Sequence, residues 1–209
     1  MMKSFKRLLL LAGIVASACS TPIEKKTIAI QPYDSFEKTL TDSVQASIQQ
    51  TFGCQVDVLT SQSIPQSAFI NVKSPRYRAD SIITILRREM DAKYDHILGL
   101  TSYDISTTKR DAFGNVLEPA SRYEDWGIFG LGFRPGESCV VSTFRLNTSY
   151  PQLLLERLKK VCNHELGHNL GLAHCTSGDK CVMKDAAESI KTVDYVDLIL
   201  CSDCQSKID

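Results

Sequence analysis

The sequence predicts an α/β fold of the α+β kind, a mixed sheet with flanking helices, and three observations carry that expectation. Short runs of aliphatic and β-branched residues alternate with segments whose apolar residues recur at helical spacing. The later strand candidates follow one another without helices between them, which points to a mixed rather than a wholly parallel sheet. Setting aside the first 18 of the 209 residues leaves a length typical of one domain, long enough to bury a core without disulfide staples.

The elements follow in order. Thr27-Ile28-Ala29-Ile30 reads as a first strand, and Ser35 to Thr51 as a helix with Ser35 as its cap. Val56-Asp57-Val58-Leu59 is expected as a second strand, followed by a loop containing Pro65 and Pro75. From Ala79 to about Ala92 the positions Ile82, Ile83, Ile85 and Leu86 share one side of a helix. Further strands are expected at His96–Leu100, Trp126–Gly132 and Cys139–Phe144, then a long helix from about Gln152 to Leu170. Ala186, Ala187, Ile190, Val193, Val196 and Leu200 suggest a final helix that carries Cys201 to its end.

The first residues read as an export signal. Lys3, Lys6 and Arg7 precede the apolar run Leu8–Ala16, which is too short to span a bilayer comfortably. Ala16-Ser17-Ala18-Cys19 resembles a bacterial lipobox, so residues 1–18 are expected to be a lipoprotein-type signal peptide and Cys19 the lipidated first residue. Cleavage near Ala18 without lipidation is the alternative and would give a secreted protein. Residues 19–26 would form the lipidated cysteine and a polar tether, and 27–209 a single domain. The expected location is the bacterial cell envelope, with the protein anchored to the membrane through Cys19. With 24 basic and 24 acidic residues, the chain implies no nucleic-acid partner. A monomer is expected.

The most informative run is His164-Glu165-Leu166-Gly167-His168-Asn169-Leu170-Gly171-Leu172-Ala173-His174. In a helix His164 and His168 project from one face about one turn apart, so both can ligate one ion. Glu165 lies beside the first ligand but is angled away, placed to take a proton from water as a general base. His174 would fall about 240° around an ideal helix from His168, on the wrong face. The helix must therefore end, and Gly171 lies where a left-handed residue would turn the chain back. Three imidazoles leave a fourth position open, as in catalytic rather than structural zinc sites.

A second cluster follows. Cys175 and Cys181 form one pair, Cys201 and Cys204 a Cys-x-x-Cys pair, and four thiolates can close a tetrahedral zinc shell. Two disulfides are the competing reading, because the N-terminus points outside the cytoplasm.

The run from His164 to Cys175, then Cys181-Val182-Met183 and Cys201-x-x-Cys204, resembles the archaemetzincin family of zinc metallopeptidases. The strong match spans about residues 161–204, with weaker echoes at Ile97–Thr101, Phe129–Leu131 and Ser142–Leu146. Five residues separate Cys175 from Cys181, one more than the family pattern, and a turn at Gly178-Asp179 could absorb the difference. The resemblance implies a zincin/metzincin-like twisted sheet and a small C-terminal subdomain around a four-cysteine zinc. It also implies catalytic zinc on His164, His168 and His174, Glu165 as general base, a second zinc on Cys175, Cys181, Cys201 and Cys204, and Met183 beneath the first metal. Two zinc ions per chain and a peptide or protein substrate follow from it.

The function so expected is zinc-dependent hydrolysis of peptide bonds, by an endo- or aminopeptidase. A non-proteolytic zinc-binding lipoprotein or scaffold that keeps the fold is the alternative, though it would have no use for Glu165. An exposed strand edge could hold an extended substrate by main-chain hydrogen bonds. Ser138–Phe144 is a candidate for that edge, with an internal strand as the equal alternative. His96 reads as a polar residue at a strand start, Cys162 as a packed helix residue, and Tyr195 as helix surface. Cys54 and Cys139 could pair, but buried thiols in strands are as reasonable.

Overall fold

The computed structural model describes residues 26–185 and 189–208. The expected signal peptide, Cys19, nearly all of the tether, and Ala186 and Ala187 of the expected final helix lie outside the described residues. Along the chain run β1 (Thr27–Pro32), α1 (Lys38–Phe52), β2 (Gln55–Val58), β3 (Phe69–Asn71), β4 (Pro75–Arg78), α2 (Ala79–Glu89), β5 (His96–Thr101) and β6 (Ile105–Thr107). They are followed by α3 (Ala120–Tyr123), β7 (Trp126–Ile128), β8 (Gly130–Gly132), β9 (Ser138–Ser142), α4 (Pro151–Asn169), α5 (Ile190–Tyr195) and α6 (Ser202–Gln205).

Two sheets result. The larger has the order β2-β1-β5-β9-β8, parallel throughout except for β8, which runs antiparallel to β9 at the edge. The smaller has the order β3-β4-β6-β7. Alternation along the large sheet explains its position. Ile28, Ile30, Leu98, Leu100, Cys139 and Val141 face a core shared with α1 and α4. Ala29, Ile97 and Val140 face the other way, into a core built on Ile82, Ile83 and Leu86 of α2. Both faces are therefore covered, which is why these strands read as nearly continuous apolar runs. A third cluster packs Leu172, Val182, Met183 and Leu200 around the cysteines, and is the small C-terminal subdomain expected from the sequence.

The structure departs from the sequence reading in five places. Helix α1 begins at Lys38, not Ser35, because Tyr33 to Phe36 form a turn in which Phe36 N–H donates to Tyr33 O. The loop expected between Pro65 and Pro75 contains β3 and starts β4, with Pro75 at a strand end, where a missing donor costs nothing. Strand β6 carried no alternating signal in so short a run. Trp126–Gly132 is two strands, β7 in the small sheet and β8 in the large one, with Phe129 between them. The final helix is only Ile190–Tyr195; beyond it the chain is held extended by Asp197 N–H to Lys180 O, and Ile199 O accepts from Val182 N–H.

Strand β9 lies inside the sheet between β5 and β8, so Ser138–Phe144 is not its edge; among the described residues the edge strand on this side is β8, half-buried along its length. The seven cysteines among the described residues are all unpaired, Cys54 and Cys139 included. Cys162 is fully buried, as expected. None of the described helices is long and apolar enough to cross a membrane.

Candidate metal centre and active site

Helix α4 brings the two inner histidines together. His164 and His168 are four residues apart on one face, and their Nε2 atoms lie 3.0 Å apart. Two imidazoles bound to one zinc at roughly 2.0–2.1 Å would place these nitrogens about 3.3 Å apart in tetrahedral geometry, so the spacing fits. Their orientation is fixed from behind. His164 Nδ1 lies 2.8 Å from Val182 O, and His168 Nδ1 lies 2.8 Å from Leu172 O. A ring whose Nδ1–H is given to a carbonyl keeps Nε2 unprotonated and free to ligate.

The turn after α4 places the third ring. Gly171 takes a φ of 95°, its N–H donates to His168 O, and Leu172 N–H reaches back to Gly167 O. This is the double closure that ends helices at a left-handed residue, and it also delivers Leu172 O to His168. His174 then folds over the site with its ring centroid 4.9 Å from that of His168 and 5.4 Å from that of His164. Candidate ligand atoms of all three residues lie within 4.8 Å of one another. His174 is exposed, and its Nδ1 lies 3.7 Å from a carboxylate oxygen of Asp185, a neighbour the sequence reading missed.

Burial, then the neighbouring His168, holds the His164 imidazole down to about 4, so it is neutral across the physiological range. His168 is lowered too, first by burial. Burial pushes the Glu165 carboxyl up to about 8, while a hydrogen bond from Gly132 N–H pulls the other way. A divalent cation beside Glu165 would lower it further.

Glu165 lies directly beneath β8, and two glycines make that approach possible. A Cβ on Gly130 would come within 2.8 Å of Glu165 Cγ, and one on Gly132 within 2.6 Å of Glu165 O. The Gly-x-Gly alternation inside a strand was the available signal for such an approach. Beneath the histidines, Met183 is fully buried with its sulfur against Gly167, where any Cβ would overlap it. Beside His164 and Glu165 opens an apolar pocket lined by Ile128, Phe129, Val161, Val182, Val193 and Val196. Tyr195 is exposed on the surface, its hydroxyl engaged by Asp179.

The second cluster also assembles. Cys175, Cys181, Cys201 and Cys204 bring their sulfurs within 4.8 Å of one another, and the Cys175 and Cys201 Sγ atoms are 3.6 Å apart. That is far longer than a disulfide of about 2.05 Å. It is close to the roughly 3.8 Å expected between sulfurs that each lie about 2.3 Å from one zinc. Gly178 lies at the centre of the turn: its N–H donates to Cys175 Sγ at 3.1 Å, and a Cβ there would meet Cys201 Sγ at 2.9 Å. Against the opposing effect of burial, hydrogen bonds from Gly178 N–H and Cys201 bring the Cys175 thiol down to about 6. Burial raises the Cys181 and Cys204 thiols.

With this geometry in place, likeness to known proteins is decisive. The sequence profile of peptidase family M54 matches residues 20–209. The chain belongs to peptidase family M54. It is a zinc metallopeptidase of the archaemetzincin kind. The archaemetzincin of Halobacterium salinarum is 29% identical over 172 residues, covering 78% of this chain and 88% of that protein. That of Methanopyrus kandleri is 35% identical over 141 residues, 68% of this chain and 70% of that one. The crystal structure of the M. kandleri archaemetzincin superposes with a TM-score of 0.71 at 29% identity, over 90% of this chain and 96% of that one. The Archaeoglobus fulgidus archaemetzincin, solved in complex with malonate, gives a TM-score of 0.68 at 28% identity, over 87% and 99%. M54 membership accounts for the zincin-like fold and for the mixed, twisted sheet over α4.

Proposed function

We propose that His164, His168 and His174 hold the catalytic zinc, that Glu165 is the general base, and that peptides are hydrolysed across β8. The observation that carries this reading is the pair of Nε2 atoms 3.0 Å apart, each on a ring whose Nδ1 is committed to a backbone carbonyl. Zinc, when bound, supplies a Lewis acid that lowers the pKa of water and polarises the scissile carbonyl. Glu165 takes the proton of the attacking water and passes it to the departing amine. Its seat beneath β8, with Gly130 and Gly132 packed against it, limits where the carboxylate can lie. The free edge of β8 binds an extended substrate through main-chain hydrogen bonds. The apolar pocket beside His164 takes a side chain on the C-terminal side of the scissile bond.

Cys175, Cys181, Cys201 and Cys204 hold a second zinc, which ties the chain after α5 back to the turn after α4. That gives two zinc ions per chain. Residues 27–209 act as one domain and as a monomer. Cys19 carries a lipid that anchors the protein in the cell envelope, and the Cys19→Ala change would release it from membranes.

Glu165→Ala tests the catalytic reading. Zinc content should stay at the parent level while turnover falls by about three or more orders of magnitude. Turnover that survives the change would remove Glu165 from the mechanism.

A further inference from the structure

The cleft has two unlike ends. The pocket at the start of β8 is lined mainly by valines, Ile128 and Phe129, and the one lysine on its wall, Lys160, donates to Asp194 O at 3.3 Å. Past the other end of β8, Phe133 and Arg134 are both exposed, on the rim of a second open depression shared with Arg87, His96, Gly136 and Asn169. The loop that carries Arg134 is fixed to the end of the metal helix. Asn169, next to His168, donates from Nδ2 to Phe133 O and Ser138 O at 3.0 Å each, and Asn169 O accepts from Gly136 N–H at 3.2 Å. Arg134 is therefore presented at the His168 end of the site from a supported loop.

The other cations of that depression are accounted for. Arg87 pairs with Glu137 at 2.6 Å. His96 is buried with Nδ1 3.1 Å from Gly136 O, and burial lowers its pKa first. Arg134 forms no ion pair with any described residue, so the depression presents one uncompensated positive charge.

Building on the peptidase reading, we propose that Arg134 is a specificity residue that favours an acidic side chain two to four positions before the scissile bond. The direction follows from β8. A strand added antiparallel to Gly130–Gly132 has its N-terminal side at Gly132 and beyond, and its C-terminal side at the apolar pocket. From Gly130, above Glu165, to Arg134 is four residues; β8 ends at Gly132 and the chain bends at Arg134, so the separation is at most roughly 13 Å, within reach of those substrate positions and the two side chains. The substrate class is thus a peptide with an acidic residue upstream of the cut and an apolar residue just after it.

The test measures binding, so it does not depend on turnover. Full-length, zinc-loaded Glu165→Gln is titrated with fluorescent peptides that share an apolar residue after the scissile bond. They differ in carrying Asp, Ala or Lys two to four places before it. The Asp peptides should bind about three- to ten-fold more tightly than the Lys peptides, as befits an ion pair at a solvent-exposed rim. The ratio should shrink in high salt. Adding Arg134→Glu should reverse the order, and Arg134→Gln should abolish it, with metal content and urea midpoint unchanged. Equal binding of all three peptides, a preference that survives Arg134→Glu, or an acid preference on the other side of the cut would overturn the proposal. Cleavage by the parent protein tests the peptidase reading separately, and its absence would leave this comparison intact.

Discussion

Gly132→Ala puts the relation between β8 and the metal helix under direct strain. The new Cβ would lie 2.6 Å from the backbone oxygen of Glu165, 3.2 Å from Cys139 Cβ and 3.3 Å from Asn169 Nδ2. A comfortable contact is about 3.5 Å, so β8 must move away from α4 by close to 1 Å. The nearest atom is backbone inside a helix, and no rotamer change can relieve it. Overpacking of this kind costs about 1–3 kcal/mol, offset by up to about 1 kcal/mol because alanine loses less entropy than glycine on entering a strand. The net loss should be about 1–2 kcal/mol, read as a lower urea midpoint at unchanged slope. The functional loss should be larger. Gly132 N–H would no longer reach Glu165, and a misplacement near 1 Å lowers kcat/KM by about 100-fold. Zinc content should not change if β8 rather than α4 gives way, because the atoms nearest the new Cβ include no histidine and neither of the carbonyls that orient His164 and His168. A Gly132→Ala protein with parent stability and parent kcat/KM would refute the argument that α4 bears directly on the substrate-holding strand.

Three further outcomes follow from the same geometry. Gly130→Ala meets the flexible Glu165 Cγ at 2.8 Å and backbone, Val140 O, only at 3.1 Å, so activity should fall by about 10-fold or more with a smaller drop in urea midpoint than Gly132→Ala. Gly178→Ala, whose Cβ would lie 2.9 Å from Cys201 Sγ and 2.9 Å from Cys181 Cβ, should cost the protein the zinc proposed at the four cysteines, as metal analysis would show. His96 is buried and its folded pKa lies below its unfolded value, so its contribution to stability is intact above about pH 6.5 and is lost as pH falls toward the folded pKa. Replacing it with Gln should flatten the fall in urea midpoint between pH 7 and pH 5; an unchanged slope would assign that fall to other groups.

Much of the site was legible because it is local. His164, Glu165 and His168 share a helix whose geometry follows from spacing alone, and Gly171 marks the turn that brings His174 back, with the φ of 95° it needs. The buried parallel strands β1, β5 and β9 announced themselves as apolar runs for the same reason: each is covered on both faces. What the sequence did not reveal depends on contacts between distant segments. The edge role belongs to β8, not β9, and only strand order decides that. The Trp126–Gly132 run changes sheets at Phe129, which no pattern of residue types marks. The carbonyls that orient the histidines belong to Val182 and Leu172, and a backbone acceptor leaves no trace in the side-chain sequence. Asp185 beside His174 is invisible for a similar reason, since it is set by the return of the chain through Met183. Helix α5 was overdrawn because Val193, Val196 and Leu200 keep helical spacing while the last two are held in extended chain by the Lys180–Val182 segment.

The central claim is that two zinc ions sit in two chemically distinct shells, one open on three histidines and one closed on four cysteines. Diffraction from zinc-loaded crystals on either side of the zinc absorption edge tests it most directly. The account predicts two anomalous peaks per chain. One should lie about 2.0–2.1 Å from Nε2 of His164 and His168 with His174 completing the set, and one about 2.3 Å from each of the four Sγ atoms. A single peak at the histidines, with Cys175, Cys181, Cys201 and Cys204 joined as disulfides, would contradict the second shell, and no peak at the histidines would contradict the account as a whole.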